Sequence, residues 1–461
     1  MPAERDPASF RDPDGFVYRS GQRLLRQINR GGGRCYDLLM ESGLYGALLE
    51  EGLLVPHEEV APGSSPDPGN AYRTIAPQEV PFISLPWEWC FSQLKDAALL
   101  TLRIQQMALE FGMTLKDCSA FNVQFVRGRP VFIDTLSFEP YEEGMPWQPY
   151  RQFCQHFLAP LALMSLVDVR LGRLAEEFLD GIPLDLTASM LPWRTRLSPG
   201  LALHIHAHAR SQQRFADRAV RREHFRARMS RTALLGLLDS LEGSVRRLRW
   251  NPAGTQWAEY YQDDSYTAQA LEHKKSLVAD YLRACQPATV WDLGANTGVF
   301  SRIAAAGGAF VVAFDVDPAC VERNYLQARD NGEQNLLPLL QDLTNPSASR
   351  GWAGEERPSL EQRGPADAVM ALALVHHLAI SGNVPLELVA SFFRRLCRRY
   401  LIIEFVPKTD PKVQKLLATR EDVFPDYSES GFERAFEGRF STVRKNRIPR
   451  SERILYLMEA R

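Results

Sequence analysis

The sequence predicts an α/β protein of two parts: an α+β domain over residues 1–240 and a domain built on a parallel sheet over residues 255–461. Three observations carry this reading. From Thr289 onward, short apolar runs alternate with helix-like segments, the rhythm of strands joined by crossover helices. Before that point the pattern is one of hairpins and long helices. Between the two lies a weak glycine- and proline-containing break, GSVRRLRWNPAG at Gly243–Gly254, which places a linker at 241–254.

In the first part, two apolar runs about Ser20-Gly21 predict a hairpin over Gly15–Ile28. Tyr36–Leu54 reads as helix and Val60–Ala71 (VAPGSSPDPGNA) as an exposed loop. Phe91–Phe111 is an amphipathic helix with Leu94, Ala97, Ala98, Ile104 and Met107 near one face. Val123–Phe125 and Val131–Ile133 flank Arg127-Gly128 as a second hairpin, and residues 151–180 look helical and apolar. In the second part the strand candidates are Thr289–Leu293, Phe310–Phe314, Leu336–Leu340, Ala368–Leu372 and Tyr400–Phe405. Helices are expected between them at Phe300–Ala306, Cys320–Asn331 and Val384–Cys397. The tail, Phe440–Ile448 and Glu452–Glu459, reads as two antiparallel strands at the sheet edge.

A chain of 461 residues with 45% hydrophobic and 24% charged residues is neither disordered, collagen-like nor a small disulfide scaffold. A net charge of −2 gives no electrostatic ground for binding nucleic acid or an anionic membrane. No apolar run approaches the roughly 20 residues that span a bilayer. The polar N-terminus lacks the cationic start and apolar core of a secretory signal. Seven scattered cysteines without a CxxC point to reduced thiols in the cytoplasm and to no metal site.

The strongest motif is VWDLGANTGVF at residues 290–300. A buried strand carries Asp292; Gly294, Ala295, Asn296 and Gly298 follow, and a helix begins. Glycine lets the backbone turn tightly and approach a ligand, and the loop sets that ligand beside the free amides of the next helix. The second strand ends FDVDP, which positions Asp315 to accept hydrogen bonds from ribose hydroxyls. A dinucleotide fingerprint, G-x-G-x-x-G, fits poorly because Asn296 and Val299 stand at two of its glycines. The phosphate-binding G-x-x-x-x-G-K-[ST] is absent.

DLGANTG instead resembles motif I of class I S-adenosylmethionine-dependent methyltransferases, with Asn296 departing from the usual middle glycine. The resemblance covers about residues 255–461 and implies a Rossmann-like seven-stranded sheet closed by an antiparallel hairpin. It also implies that S-adenosylmethionine is the cofactor. Asp292, Gly294, Ala295, Asn296 and Gly298 would lie against its methionine part, Asp315 and Val316 against the ribose, and Asp342 with Leu343 against the adenine. Val375–Leu378 matches the loop beside the transferring methyl. The whole layout, including PFISLPWEWCFSQLKDAALLTL and RQFCQHFLAPLAL, is similar to bacterial nodulation-associated methyltransferase-like proteins.

Methyl transfer is an in-line displacement, so the protein must hold the nucleophile and remove its proton when it is neutral. His377 is the first candidate base, since imidazole titrates near neutrality; His376 and Glu404 are alternatives. Tyr260, Tyr261 and Lys275 precede the glycine loop and are candidates for a substrate pocket. No [DNS]-P-P-[YFW] follows the fourth strand, which argues against adenine-N6 and glutamine-amide acceptors, and no CxxxCxxC points to radical chemistry. The expected acceptor is a small molecule rather than nucleic acid.

Asp117 and Asn122 have the D-x-x-x-x-N spacing of a kinase catalytic loop, and Asp134 follows a hairpin where kinases carry a metal-binding Asp. This weaker resemblance covers about residues 70–180 and implies a kinase-like scaffold. Leu115-Lys116 replace His-Arg and Thr135-Leu136 replace Phe-Gly. No glycine-rich phosphate loop is present, and Arg26 stands where the strand lysine would. The competing functions are therefore a phosphotransferase with a regulatory cofactor domain and a non-catalytic cofactor-binding adaptor. His204, His206 and His208 would share one face on a strand, although no carboxylate or Cys lies nearby in sequence. The stripe Arg210, Arg214, Arg218, Arg222 and Arg226 lies within an arginine-rich 210–231 helix candidate, read first as a solvated face.

Overall fold

The computed structural model describes residues 4–61, 65–215, 229–252, 268–418 and 421–461. The chain forms two compact units. The first comprises residues 1–251 with 350–357, and the second comprises 252–349 with 358–461. The expected linker at 241–254 thus begins inside a helix, Arg231–Arg247, whose apolar face (Leu234, Leu238, Leu241, Val245) is buried. Polar Arg246 and Arg247 at its end look linker-like in sequence but occupy the last helical turn.

The first unit carries an antiparallel sheet ordered Glu4–Arg5, Gly15–Ser20, Arg23–Asn29, Ala71–Pro77, His57–Val60. The hairpin about Gly21 is present, with that glycine at φ +62°. The stretch read as one helix from Tyr36 is two, Gly33–Glu41 and Leu44–Glu50, divided at Gly43 with φ +87°. The helix Phe91–Glu110 buries Leu94, Ala97, Ala98, Thr101 and Ile104 and precedes the hairpin Val123–Val126/Arg129–Phe132. Residues 350–357 close on themselves through Arg350 and Arg357, whose amides and carbonyls exchange bonds of 3.0 and 2.9 Å. Within the unit, Glu356 accepts from the Arg11 guanidinium at 2.7 and 2.9 Å, and the Arg357 guanidinium lies 3.8 Å from the Phe121 ring centre.

The second unit is mixed α/β with a mainly parallel sheet. In chain order its elements are α1 (Ala268–Cys285), β1 (Thr289–Leu293), α2 (Val299–Ala306), β2 (Phe310–Asp315), α3 (Pro318–Asp330), β3 (Leu336–Leu340), β4 (Ala366–Ala371), α4 (Leu386–Leu396), β5 (Cys397–Phe405), α5 (Pro411–Leu417), α6 (Glu429–Glu437), β6 (Phe440–Arg447) and β7 (Ile454–Ala460). The sheet order is β3-β2-β1-β4-β5-β7-β6. β1 to β5 run parallel, while β7 is antiparallel to β5 and β6 to β7. Val290, Val311, Ala313, Ala368, Met370 and Ile402 form the buried centre with Val278 and Tyr281 of α1. Strands buried on both faces read as continuous apolar runs, which is why β1, β2 and β3 stand out in sequence.

Candidate functional site

β1 ends at Leu293, and the next five residues include three left-handed ones: Gly294 at φ +76°, Asn296 at +51° and Gly298 at +79°. These turns let the amides of Gly294 and Ala295 both donate to Phe314 O at 2.9 Å, tying the loop to the end of β2. The Asn296 amide donates to Asp315 Oδ2 at 2.7 Å, and the Asp317 amide donates to Asp315 Oδ1 at 2.9 Å. Asparagine tolerates the left-handed region better than most side chains, and its Oδ1 accepts from the Thr297 amide at 2.8 Å. A Cβ on Gly298 would lie 2.4 Å from Asn324 Oδ1, so this glycine is demanded by packing behind the loop.

A cavity of about 520 Å³ opens over this loop. It lies at the carboxyl ends of β1 to β4, where the strand order reverses between β1 and β4. Of the residues expected from the sequence, Asp292, Gly294, Ala295, Asn296, Asp315, Val316, Asp342, Leu343 and His377 line it. Gly298 does not. Lys274 and Phe300, which the sequence reading did not single out, also form its wall.

Burial pushes the Asp292 carboxyl up to about 7, against the opposing effects of the Ser301 hydroxyl, which donates to Oδ2 at 2.6 Å, and of the Lys274 charge. Burial likewise pushes Asp315 up to about 6, resisted by the amides of Asp317 and Asn296. Asp342 Oδ1 accepts from the Thr344 amide at 2.9 Å and its hydroxyl at 2.6 Å. Val316, 54% exposed, presents an apolar surface beside Asp315. The His377 imidazole is lowered to about 4 by burial and by the Arg453 charge, so it is neutral at pH 7.

The other candidate bases are displaced from the cavity. His376 is fully buried, lies against His377 with ring centres 4.1 Å apart and planes tilted by 40°, and has no hydrogen-bond partner at either ring nitrogen. Glu404 is fully buried; its Oε2 accepts from Lys274 Nζ at 2.6 Å and its Oε1 lies 3.6 Å from Arg453. Both carboxylate oxygens thus face cations behind the wall, and Glu404 is not among the residues lining the cavity. Lys275 pairs with Glu272 at 2.6 Å on the outer side of α1 and is not a cavity residue; its neighbour Lys274 takes that place. Tyr260 and Tyr261 lie outside the described residues.

In the first unit, Asp134 Oδ1 meets Arg26 at 2.5 Å and its Oδ2 accepts from Ser137 Oγ at 2.6 Å. Burial alone would raise Asp134, but the Arg26 charge and these bonds hold it below the usual carboxylate range. Asn122 Nδ2 donates to the same Ser137 hydroxyl at 3.3 Å. Asp117 is turned elsewhere: its Oδ1 accepts from the Ser119 amide at 2.8 Å and from Gln152 at 2.7 Å. The three histidines do not lie on a strand. Residues 202–207 are a wide helical turn, so alternate residues face different ways. His204 bonds Tyr150 and Ser240, His206 bonds Thr195, and His208 stacks on Tyr150. Most of the arginine stripe falls outside the described residues.

No family model matches the chain. Nodulation protein NoeA of Rhizobium meliloti (strain 1021) is 36% identical over 461 residues, covering 99% of this chain and 96% of that protein. Among solved structures, magnesium protoporphyrin IX methyltransferase ChlM of Synechocystis PCC 6803 with bound SAH is 21% identical. It covers 44% of this chain and 91% of its own, with a TM-score of 0.31. N-methyltransferase NodS of Bradyrhizobium japonicum WM9 is 10% identical over 42% of this chain and 97% of its own, also at 0.31. Scores of this size carry no functional argument, whereas the full-length relative does establish kinship: the chain belongs to the family of nodulation protein NoeA.

Proposed function

We propose that the second unit is an S-adenosylmethionine-dependent methyltransferase domain with a Rossmann-like seven-stranded sheet, acting on a small-molecule acceptor. The observation that carries this is the joint presence, in one cavity, of the Gly294–Asn296 loop, Asp315 bonded to that loop, and Asp342. The residues fit the cofactor. Asp315 offers a charged acceptor for ribose hydroxyls, Val316 an apolar face for the base, Asp342 an acceptor for an exocyclic amine, and the loop a close backbone approach. The cofactor supplies an electrophilic methyl group when bound. The chain supplies position, exclusion of water by Leu374 and Leu378 of the cavity wall, and a neutral imidazole at His377 able to accept a proton.

The cavity's charge is set for a nucleoside with an amino-acid end rather than for phosphates: three carboxylates and one lysine line it. Seven free cysteines fit a reducing cytoplasm. Among the described residues no helix is long and apolar enough to cross a membrane. The first unit reads as a kinase-like scaffold that does not transfer phosphate, because the Asp134 carboxylate is already occupied by Arg26 and Ser137. It would then serve to select the acceptor. The acceptor class is tested by incubating the protein with methyl-tritiated cofactor and either a protein-free bacterial metabolite extract or purified RNA and DNA. Label is expected in the small-molecule fraction; label confined to nucleic acid would overturn the assignment.

A further inference from the structure

We propose that Lys274 recognises the carboxylate at the amino-acid end of the bound cofactor, with Asp292 near it for the ammonium. This rests on the reading of the cavity as an S-adenosylmethionine site. With Asp315 and Asp342 placed for the nucleoside, the charged groups left in the wall are Asp292 and Lys274, one of each sign. A zwitterionic amino acid is the chemistry that matches such a pair.

The placement of Lys274 supports this. It is only 2% exposed yet lines the cavity, and its Nζ lies 4.6 Å from the ring centre of Phe300, in the first turn after the glycine loop. That sets the ammonium at the loop end of the cavity, beside Asp292. Its position is fixed from behind by a chain of alternating charges. Glu404 holds Lys274 at 2.6 Å, Arg453 approaches Glu404 at 3.6 Å, and Asp410 binds Arg453 at 2.6 and 3.1 Å. Burying four charges costs more than packing apolar side chains of the same size. The chain therefore calls for a purpose besides stability, and an ammonium held at a cavity wall supplies one. Glu404 is in this view the residue that positions Lys274.

The test compares two probes by calorimetry: S-adenosylhomocysteine, which carries the amino-acid end, and 5′-methylthioadenosine, which lacks it. Lys274→Met is expected to weaken S-adenosylhomocysteine by roughly ten- to a hundredfold, the range of a hydrogen bond to a charged group. It should leave methylthioadenosine within about twofold. Because Lys274→Met strands Glu404, the double variant Lys274→Met/Glu404→Gln is measured beside it, with the same expectation. Equal losses for both probes, or none for either, would overturn the assignment of Lys274 while leaving the cavity as a nucleoside site. A wild-type protein that binds neither probe would overturn the cofactor reading itself.

Discussion

Replacing Asp315 by alanine removes four interactions at once, and the structure allows them to be weighed. Two belong to the folded protein: the amides of Asn296 and Asp317 lose a charged acceptor at 2.7 and 2.9 Å. Each buried amide left unpaired costs about 1–3 kcal/mol. Against this, the carboxyl is raised from 3.8 to about 6, so keeping it ionised at pH 7 costs the folded state about 3 kcal/mol. The two effects are of similar size and opposite sign, so the variant should fold with a modest change in Tm. The other two interactions exist only with ligand bound, as the ribose hydroxyls lose their acceptor. S-adenosylhomocysteine should therefore bind about 1–3 kcal/mol more weakly, roughly five- to a hundredfold. Calorimetry gives the affinity and circular dichroism shows whether the variant is folded. A folded variant with wild-type affinity would refute the role given to Asp315.

Further outcomes follow from the same geometry. Asp292 and Asp315, raised to about 7 and 6, bind protons that the unfolded chain has released. Their contribution to stability is full below about pH 3.8 and is lost as pH rises through 6 to 7. Ligand contacts favour the ionised forms, so S-adenosylhomocysteine affinity should rise about tenfold or more between pH 5.5 and 7.5, and a flat profile by calorimetry would contradict this. A fragment of residues 252–461, with 351–356 replaced by Asn-Gly across the Arg350–Arg357 pair, should fold and bind the same ligand within about threefold of the full chain. A molten fragment would show that the first unit completes the core. Asp134→Ala deprives the buried Arg26 of its 2.5 Å partner and should destabilise the protein by about 3 kcal/mol in thermal denaturation. The wild type should show no magnesium-dependent ATP turnover, and a robust turnover lost on this change would promote the phosphotransferase reading.

What could be seen in the sequence was what strong local physics encodes. β1, β2 and β3 are buried on both faces and end at or just before polar residues or glycine, so their apolar runs mark Thr289–Leu293, Phe310–Asp315 and Leu336–Leu340 almost to the residue. The glycine loop was legible because its turns need left-handed residues. Lys274 was missed in favour of Lys275 because lysine is rarely buried. The signal was nonetheless there: Ala270, Lys274, Val278 and Tyr281 fall on one helical face, all buried. Glu404 within LIIEF was seen as a base, yet a lone acid in a doubly buried strand equally signals a buried partner, and here there are two. His376 and His377 differ by one residue and only the tertiary packing decides which one meets the cavity. Nothing in GWAGEE marks residues 350–357 as belonging to the first unit, since that membership rests on partners as distant in sequence as Arg11 and Glu176.

The decisive measurement is calorimetric titration of the full chain with S-adenosylhomocysteine and, separately, with ATP and magnesium. Saturable one-to-one binding of S-adenosylhomocysteine, with no heat from ATP and magnesium, is the expected result. Binding of ATP alone would contradict the assignment of the cavity over Gly294 and Asp315 as the cofactor site.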